Sequence, residues 1–460
     1  MRKKPSKLAY GIGNLGYSVI SQTITNFFMF FGTSVLKLSG ALVGIAIAIS
    51  TLWDGITDPF VGYLSDSREF LKMGNRRGYM LVATIGMTIV NIAIWFVPLG
   101  ASELVKFIWI TIGLVGIETF NTLYATPYMA LGTDISSNYN DRTKIQSIKT
   151  VFFLVGMIVP SVLLYLFLPN SDAYPIGQLN PYGYRKISVV TSLICFSSGI
   201  VCVLFTHQKK RSKLKNANGF KSMFSNFISA IKIKPLAIII FGYALVMLSA
   251  VILTSVGMHF FTYCFSLSSK QITILLSTLL IGTLVSQPLW YFASVKKDKK
   301  IALLSGIFVS VVGVFSIITI FLLRYELKGS AYWWIMASIF VSGVGSGALY
   351  TLPNSMYSDA ITKVNRLTGE DKTATYSGVM TFVSNIMNCI LQLGIGITLD
   401  IIKFNPDKVV QELSVQTGLA IILFVGIQFA LISGYYIFSK YGKVKYSKIT
   451  AHSLAKNGNK

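Results

Sequence analysis

The chain alternates between long apolar runs and short polar segments along its whole length. A run of about 20 apolar residues is long enough to cross the hydrocarbon core of a membrane as an α-helix. Twelve such runs occur, at residues 9–35, 41–64, 79–99, 105–131, 147–168, 188–206, 236–265, 271–293, 301–323, 331–357, 375–402 and 414–438. The pattern predicts an all-α membrane protein with twelve transmembrane helices.

The twelve runs divide into two sets of six, because the longest basic and weakly hydrophobic stretch, 207–225, follows the sixth run. A weak repeat supports this division: the fourth run ends Pro127-Tyr-Met-Ala-Leu-Gly-Thr-Asp134, and the tenth ends Pro353-Asn-Ser-Met-Tyr-Ser-Asp359. Parallel repeats of six helices are typical of the major facilitator fold. We therefore predict an N-terminal six-helix bundle over 1–206, a basic linker over 207–234, a C-terminal six-helix bundle over 235–440 and a basic tail over 441–460.

The basic residues are distributed unevenly between the two sides of the membrane. The chain carries 41 Lys and Arg against 17 Asp and Glu, a formal net charge of +24. If both termini are cytoplasmic, the cytoplasmic segments hold 31 of these 41 basic residues and the outer segments hold nine. This asymmetry is the positive-inside signature. We expect a plasma-membrane protein with cytoplasmic termini, linker and tail, whose basic residues contact anionic membrane lipids rather than nucleic acid.

The composition gives little support to an enzyme. Hydrophobic residues make up 53% of the chain and charged residues only 13%. No nucleotide-binding or cofactor motif is visible, the three histidines are scattered, and the four cysteines lack metal-binding spacing. We predict that the protein is not an enzyme and needs no cofactor.

Two carboxylates lie inside the second apolar run, where charge is costly. Asp54 and Asp58 are four residues apart, so on a helix they share one face. One charged side chain at the centre of a bilayer costs about 2.5–3.5 kcal/mol on insertion scales. Two acids that repel each other are reasonable there if a cation, Na⁺ or H⁺, binds between them. A purely structural acid pair is the alternative. The pair therefore suggests an ion-coupled transporter.

Several motifs resemble the glycoside–pentoside–hexuronide:cation symporters of the major facilitator superfamily. They are Lys7-Leu-Ala-Tyr-Gly-Ile-Gly13, Trp53-Asp-Gly-Ile-Thr-Asp-Pro-Phe-Val-Gly62, Ser65-Asp66 with Gly74-Asn-Arg-Arg77, and Thr368-Gly-Glu-Asp-Lys372. In that family, two carboxylates of span two and a hydroxyl of span four bind Na⁺, Li⁺ or H⁺. The resemblance implies that Asp54, Asp58 and Thr122 form this site, as metal ligands if the ion is Na⁺. Thr57 stands where a sugar-transporting member has an asparagine.

The family's sugar-binding residues are less well matched. Two aspartates that hold a galactoside in a sugar-transporting member align with Ser18 and Ala125, and a common span-eleven lysine aligns with Ser384, beside Asn385. An arginine near the start of span five aligns at or next to Lys149. Lys149 is a candidate to bind an acidic or hydroxylated substrate. The alternatives are an inner-leaflet anchor and a partner for Asp134 and Asp141. A galactoside is therefore not expected, and a substrate that is not a sugar stays open.

Glu118 is a further acid within an apolar run. It precedes Thr122 by one helical turn and Ala125 by two, so the three residues share a face. Glu118 is a candidate to receive substrate hydroxyls or a cationic group, or to face a lateral polar partner. Asn121 offers an amide suited to hydroxyl-rich ligands, and Tyr128 an aromatic ring on which a sugar could stack.

The loop after span two resembles the major-facilitator loop that bridges the two halves on the cytoplasmic side. Asp66, Arg76 and Arg77 carry this resemblance, and we group Arg142 of the loop after span four with them as conformational gate residues. Such pairs bias a two-state equilibrium and bind no substrate. A solvated loop is the alternative.

These observations favour a secondary active transporter. We predict symport of a small polar solute, a sugar or glycoside, coupled to Na⁺ or H⁺ by alternating access, in a protein that functions as a monomer. One alternative is transport of a lysolipid or another amphipathic solute. Another is a membrane sensor or scaffold that transports nothing.

Overall fold

The structure is a computed structural model that describes residues 6–67, 71, 73, 76–135, 139–206, 231–368, 373–408 and 410–441. Within helical segments, it does not describe the side chains of residues 59, 63, 66, 67, 133, 134, 139–143, 368, 373–375, 377 and 438. The predicted linker from 207 to 230 and the tail from 442 onward lie outside the described residues.

The described residues form helices and no strands. The helices are α1 (Lys7–Phe30), α2 (Gly40–Ser67), α3 (Arg77–Trp95), α4 (Glu103–Ile135), α5 (Tyr139–Phe167), α6 (Pro181–Phe205), α7 (Lys234–Phe265), α8 (Ser269–Val285), α9 (Gln287–Lys296), α10 (Lys299–Leu322), α11 (Arg324–Leu327), α12 (Ala331–Thr368), α13 (Thr373–Ile401) and α14 (Leu413–Lys440). A π-helical turn, Phe31–Val35, extends α1. Short 3₁₀ turns occur at Gly177–Leu179 and Lys328–Ser330.

The all-α membrane fold predicted from the sequence is confirmed. Within the described residues, ten helical segments are long and apolar enough to cross a membrane. Each predicted run overlaps a helix, but α1 and α4 are not among these ten. The count of twelve transmembrane helices therefore stays a prediction.

The chain divides into two compact units. The first comprises Met1–Ala217, Phe261–Thr273 and Cys389–Val415, and the second comprises Asn218–Phe260, Ile274–Asn388 and Gln416–Lys460. The predicted boundaries at 206, 234 and 440 stay a prediction.

Glycines allow α1 to pack closely against its neighbours in the first unit. A Cβ atom on Gly16 would overlap the backbone of Cys195 on α6, and one on Gly13 would lie 2.6 Å from Cys202 Sγ. On the other side of α1, a Cβ on Gly156 of α5 would overlap the Ser18 hydroxyl. These contacts hold α1 between α5 and α6.

An aromatic cluster fills one end of the first unit. The rings of Trp95 and Tyr184 stack with their centroids 5.5 Å apart, and the ring of Phe31 lies 4.8 Å from that of Trp95. Phe31 begins the π-helical turn that ends span one. The cluster therefore packs the end of span one against α3 and α6.

The two later segments of the first unit pack against its earlier helices. The Asp400 carboxylate accepts hydrogen bonds from the backbone N–H groups of Gly40, at 2.6 Å, and Ala41, at 2.8 Å. These N–H groups begin α2 and have no partner within the helix. Beside them, the backbones of Gly40 and Gly396 lie too close to admit a side chain. Asp400 thus caps α2 from a position 360 residues away.

Glycines also mediate packing in the second unit. A Cβ on Gly345 of α12 would overlap the backbone of Ser310 on α10, and one on Gly313 would overlap Ser342. Trp290 of α9 donates its indole N–H to the Val344 carbonyl at 2.7 Å. α12 is therefore tied to both α10 and α9.

We expect Asp400→Ala to destabilise the protein by about 1 kcal/mol, because the first turn of α2 loses its acceptor and the favourable charge at its N-terminus. Asp407→Ala is the matched control, since Asp407 lies in the same segment and pairs with exposed Lys37. Thermal unfolding of both purified variants tests this expectation. Equal stability losses would show that the cap contributes no more than a surface ion pair.

Candidate cation and substrate site

Two neighbouring helices of the first unit place two carboxylates opposite two hydroxyls. Asp54 and Asp58 lie on α2, and Thr122 and Thr126 lie on α4. Thr122 Oγ1 donates to Asp54 Oδ1 at 2.6 Å, and Thr126 Oγ1 lies 3.5 Å from Asp58 Oδ1, at the outer limit of a hydrogen bond. The structure therefore brings together Asp54, Asp58 and Thr122 as the sequence suggests.

Thr126 is a site residue that the sequence reasoning missed. The Thr126 hydroxyl lies beside Asp58, and the Thr122 hydroxyl lies beside Asp54. In each pair the two residues are 68 positions apart in the sequence. The spacing of four residues between the two threonines matches the spacing between the two acids. This shared helical period was a signal that could have identified Thr126.

The residues around Asp54 have different roles. The Thr57 hydroxyl donates to its own helix, to the Trp53 carbonyl at 3.0 Å and the Asp54 carbonyl at 3.2 Å. Its oxygen keeps its acceptor capacity, and its place in the cation site stays a prediction. Trp53 Nε1 donates to Thr119 Oγ1 at 2.8 Å, a second hydrogen bond between α2 and α4.

Glu118 lies in the same region as the acid pair. Its carboxylate accepts a hydrogen bond from Asn121 Nδ2 at 3.2 Å. It is close enough to Asp54 and Asp58 for their charges to interact, and so is Tyr17 of α1. Carboxylates from α2 and α4 and the Tyr17 hydroxyl of α1 therefore lie in one region.

The donor set suits a small hard cation. Carboxylate and hydroxyl oxygens are the ligands preferred by such ions, whereas soft metals select sulfur. Among the described residues, no group of three or more His, Cys, Asp or Glu side chains is placed to hold a metal ion. A site for one monovalent ion or a proton at Asp54, Asp58 and Thr122 stays a prediction.

Tyr128 is part of an aromatic stack beside the start of span five. Its ring lies 4.4 Å from that of Tyr10 and 5.5 Å from that of Tyr124, and its hydroxyl donates to the Tyr10 carbonyl at 2.8 Å. Lys149 Nζ lies 5.6 Å from the centre of the Tyr128 ring. Asn14 donates to the Lys149 carbonyl at 3.2 Å and helps fix this part of α5. The half-buried Lys149 ammonium therefore rests on an aromatic face.

Other predicted substrate residues lie in different surroundings. Ser18 is fully buried at the contact with Gly156 and donates to the Leu15 carbonyl at 2.9 Å. Ala125 is half-buried on α4. In the second unit, Ser384 of α13 donates to the Met380 carbonyl at 2.8 Å. Its neighbour Asn385 is half-buried. Their roles in substrate binding stay predictions.

The predicted gate is only partly described. The side chains of Asp66 and Arg142 lie outside the described residues. Arg76 is buried just before α3, and Arg77 Nε donates to the Val203 carbonyl near the end of α6 at 2.7 Å. Arg77 thus stabilises the last turn of a helix in its own bundle, and the gating role stays a prediction.

The apolar helices of the described residues are those of a multi-pass membrane protein. A family model described as MFS/sugar transport protein matches residues 9–442, and the chain belongs to this family. The protein is therefore an integral multi-pass membrane protein and a secondary transporter rather than an enzyme.

Sequence relatives place the chain among symporters. It is 33% identical over 183 residues to the uncharacterized symporter sll1374 of Synechocystis, an alignment that covers 38% of this chain and only 33% of that relative. It is 22% identical to sodium-dependent lysophosphatidylcholine symporter 1-B of Danio rerio, over 77% of this chain and 71% of the relative. It is 26% identical to inner membrane symporter YicJ of Escherichia coli, over 44% and 43% of the two chains. The resemblance to the glycoside–pentoside–hexuronide family is confirmed.

Solved structures support the fold. A bacterial homolog of the human lysosomal transporter Spinster, in an inward-facing and unoccupied conformation, matches with a TM-score of 0.67. The match covers 98% of this chain and 99% of that chain at 17% identity. The major facilitator fold is confirmed.

The two hydroxyls differ enough in geometry to be distinguished by mutation. We expect Thr122→Val to raise the Na⁺ or Li⁺ concentration for half-maximal thermal stabilisation about tenfold, because a short hydrogen bond to a carboxylate is lost. Thr126→Val should raise it less, since its contact is long. Thr111→Val is the matched control, because that hydroxyl on the same helix donates to the Phe107 carbonyl. An unchanged cation response in Thr122→Val would remove this hydroxyl from the site.

Proposed function

We propose that this chain is a cation-coupled symporter that uses Na⁺ or H⁺ to accumulate a small polar solute by alternating access. The observation that carries the proposal is the 2.6 Å hydrogen bond from Thr122 to Asp54 between α2 and α4. Asp58 and Thr126 repeat this arrangement one turn further on. Together, the two carboxylates and the two hydroxyls supply only oxygen ligands, which is the donor set that a hard cation prefers.

The coupling ion would act by relieving repulsion. Asp54 and Asp58 share one face of α2 and are half-buried in an apolar segment. Without a metal ion, the pair would hold a proton. Sodium would replace that proton and accept oxygen ligands from both helices. Because each ion joins α2 to α4, either one would favour the same local geometry.

Glu118 supplies a route from the ion to the substrate. It lies one turn before Thr122 on α4, within electrostatic range of both aspartates. A cation at the acid pair would lower the negative potential around Glu118. Substrate binding there would then differ between the ion-loaded and ion-free forms, and the two affinities would be linked reciprocally.

The residues near Glu118 favour a hydroxyl-rich solute. A carboxylate accepts hydrogen bonds from hydroxyls, and the Asn121 amide both donates and accepts. We therefore infer a sugar or glycoside. A galactoside is disfavoured, because Ser18 and Ala125 replace the two aspartates expected for it.

Transport of a lysolipid is the second candidate. The relative from Danio rerio that covers 77% of this chain is a sodium-dependent lysophosphatidylcholine symporter. A choline head group carries a positive charge that Glu118 could face, and the replacement of two sugar-binding aspartates is compatible with it. A sensor or scaffold leaves the matched acids and hydroxyls without a role.

We propose the plasma membrane as the location, with both termini in the cytoplasm and a monomer as the functional state. The support is the concentration of basic residues in alternate connecting segments.

A thermal-shift screen of the purified protein discriminates between the candidate substrates. Sugars, glycosides, hexuronates and lysolipids are each tested with and without Na⁺. A ligand at 100 times its Kd stabilises the folded state by about 2.7 kcal/mol. We expect a sugar to stabilise more strongly in Na⁺, since ion and substrate are linked. Stabilisation by lysolipids alone would establish the second candidate instead.

The role of Asp58 is tested in proteoliposomes with the solute that this screen identifies. We expect Asp58→Asn to abolish accumulation driven by an ion gradient while exchange of solute across the membrane persists, because the neutral amide removes the charge that the ion balances. The control is Asp172→Asn, at an exposed acid between α5 and α6. Full accumulation by Asp58→Asn would contradict the coupling assignment.

A further inference from the structure

A groove on the second unit lies beside a break in span eight. The break separates α8, which ends at Val285, from α9, which begins at Gln287 and has Pro288 in its first turn. The groove runs between α9 and α12 and encloses about 460 Å³. It has no part in the cation site, whose residues all lie in the first unit.

The walls of the groove are fixed by hydrogen bonds. Trp290 is buried and bonded to the Val344 carbonyl of α12. Gln287 Nε2 donates to the Gly347 carbonyl at 3.2 Å, and Thr351 Oγ1 donates to Gln287 Oε1 at 2.8 Å. Because both helices are tied at several points, the groove is pre-formed.

The two rims of the groove have different polarity. On α9, Tyr291 and Phe292 are 64% and 59% exposed, and Val295 is 68% exposed. On α12, the groove is lined by Thr351, Leu352 and Ser355, which contribute two hydroxyls. An exposed apolar face in a membrane span suits lipid chains, and hydroxyls and amides suit the ester and glycerol region of a lipid. The groove therefore fits an amphipathic molecule.

Positive charge lies at the end of the same helix. Lys296 and Lys297 are exposed at the end of α9, and the backbone of Lys296 lies one turn, about 6 Å, past that of Phe292. Their ammonium groups make no hydrogen bond or ion pair with the described part of the chain. The next two lysines differ: Lys299 bonds to Asp359 at 2.6 Å, and Lys300 donates to the Tyr441 carbonyl at 3.0 Å. The first two ammonium groups are thus available to an external anion.

We propose that the groove and these two lysines form a binding site for a phospholipid with an anionic head group. An acyl chain lies against Tyr291 and Phe292, and the head-group phosphate lies at Lys296 and Lys297. Charge complementarity selects this occupant over a zwitterionic lipid, because clustered lysines at the end of a membrane span attract anionic head groups. The proposal concerns a bound lipid and does not depend on the substrate that the protein transports.

Native mass spectrometry of the full chain in detergent tests the proposal with phosphatidylglycerol and phosphatidylcholine of identical acyl chains. We expect the first phosphatidylglycerol to bind about tenfold more tightly than phosphatidylcholine. Lys296→Gln with Lys297→Gln should remove that preference. Lys186→Gln with Lys270→Gln is the matched control, since it removes two exposed lysines from other helices. An equal affinity for both lipids in the unmutated protein, or an unchanged preference in the first double variant, would overturn the proposal.

Two further arms examine the groove itself. Tyr291→Ser with Phe292→Ser should weaken both lipids while leaving the preference for the anionic head group. Glycerol 3-phosphate should not displace the bound lipid, because it lacks a chain; full displacement would identify a site for a soluble phosphate instead. Thermal unfolding verifies that each variant is folded. If the Lys296→Gln, Lys297→Gln double variant is not folded, the single variant Lys297→Gln replaces it. That single variant should reduce the preference severalfold, and no reduction would count against the site.

Discussion

The need to stabilise carboxylates inside an apolar bundle constrains the first unit more than any other interaction. Asp54, Asp58 and Glu118 are half-buried in apolar helices, and each has a polar partner on α4. An unpartnered acid there would cost several kcal/mol or take up a proton. The packing of α2 against α4 therefore stabilises the two aspartates as well as burying apolar surface. It also leaves the neighbouring acids sensitive to any ion that binds between them.

Glycine contacts and hydrogen bonds position the helices that carry this chemistry. α1 approaches α5 and α6 closely because Gly13, Gly16 and Gly156 have no side chains. The same close approach buries Ser18, so a position that aligns with a substrate ligand faces a neighbouring helix here. The absence of a side chain at Gly156 thus allows Ser18 to be buried. A comparison of aligned residues alone does not reveal this.

Much of the fold was predictable because its signals are local. Long apolar runs identify helices, and a four-residue spacing places Asp54 and Asp58 on one face. The pairing of Asp54 with Thr122 came from the family resemblance, and the structure has the two side chains in contact. Thr126 was missed although the register follows once Asp54 is paired with Thr122, since the four-residue period then places Thr126 opposite Asp58. The Asp400 cap was missed because no local pattern links positions 360 residues apart. The transported solute was not predictable either, because it depends on how several partly matched side chains combine.

α2 is held by polar contacts at two positions, its first turn and the acid pair. Asp400 holds the first turn at Gly40 and Ala41, and the acid pair begins fourteen residues later, about 21 Å along the same rod. If an ion at Asp54 changed the tilt of α2, its first turn at Gly40 would be displaced as well. The glycine contact beside Asp400 leaves little space for that displacement. Ion binding at Asp54 and the hydrogen bonds from Gly40 and Ala41 to Asp400 would therefore be coupled through α2.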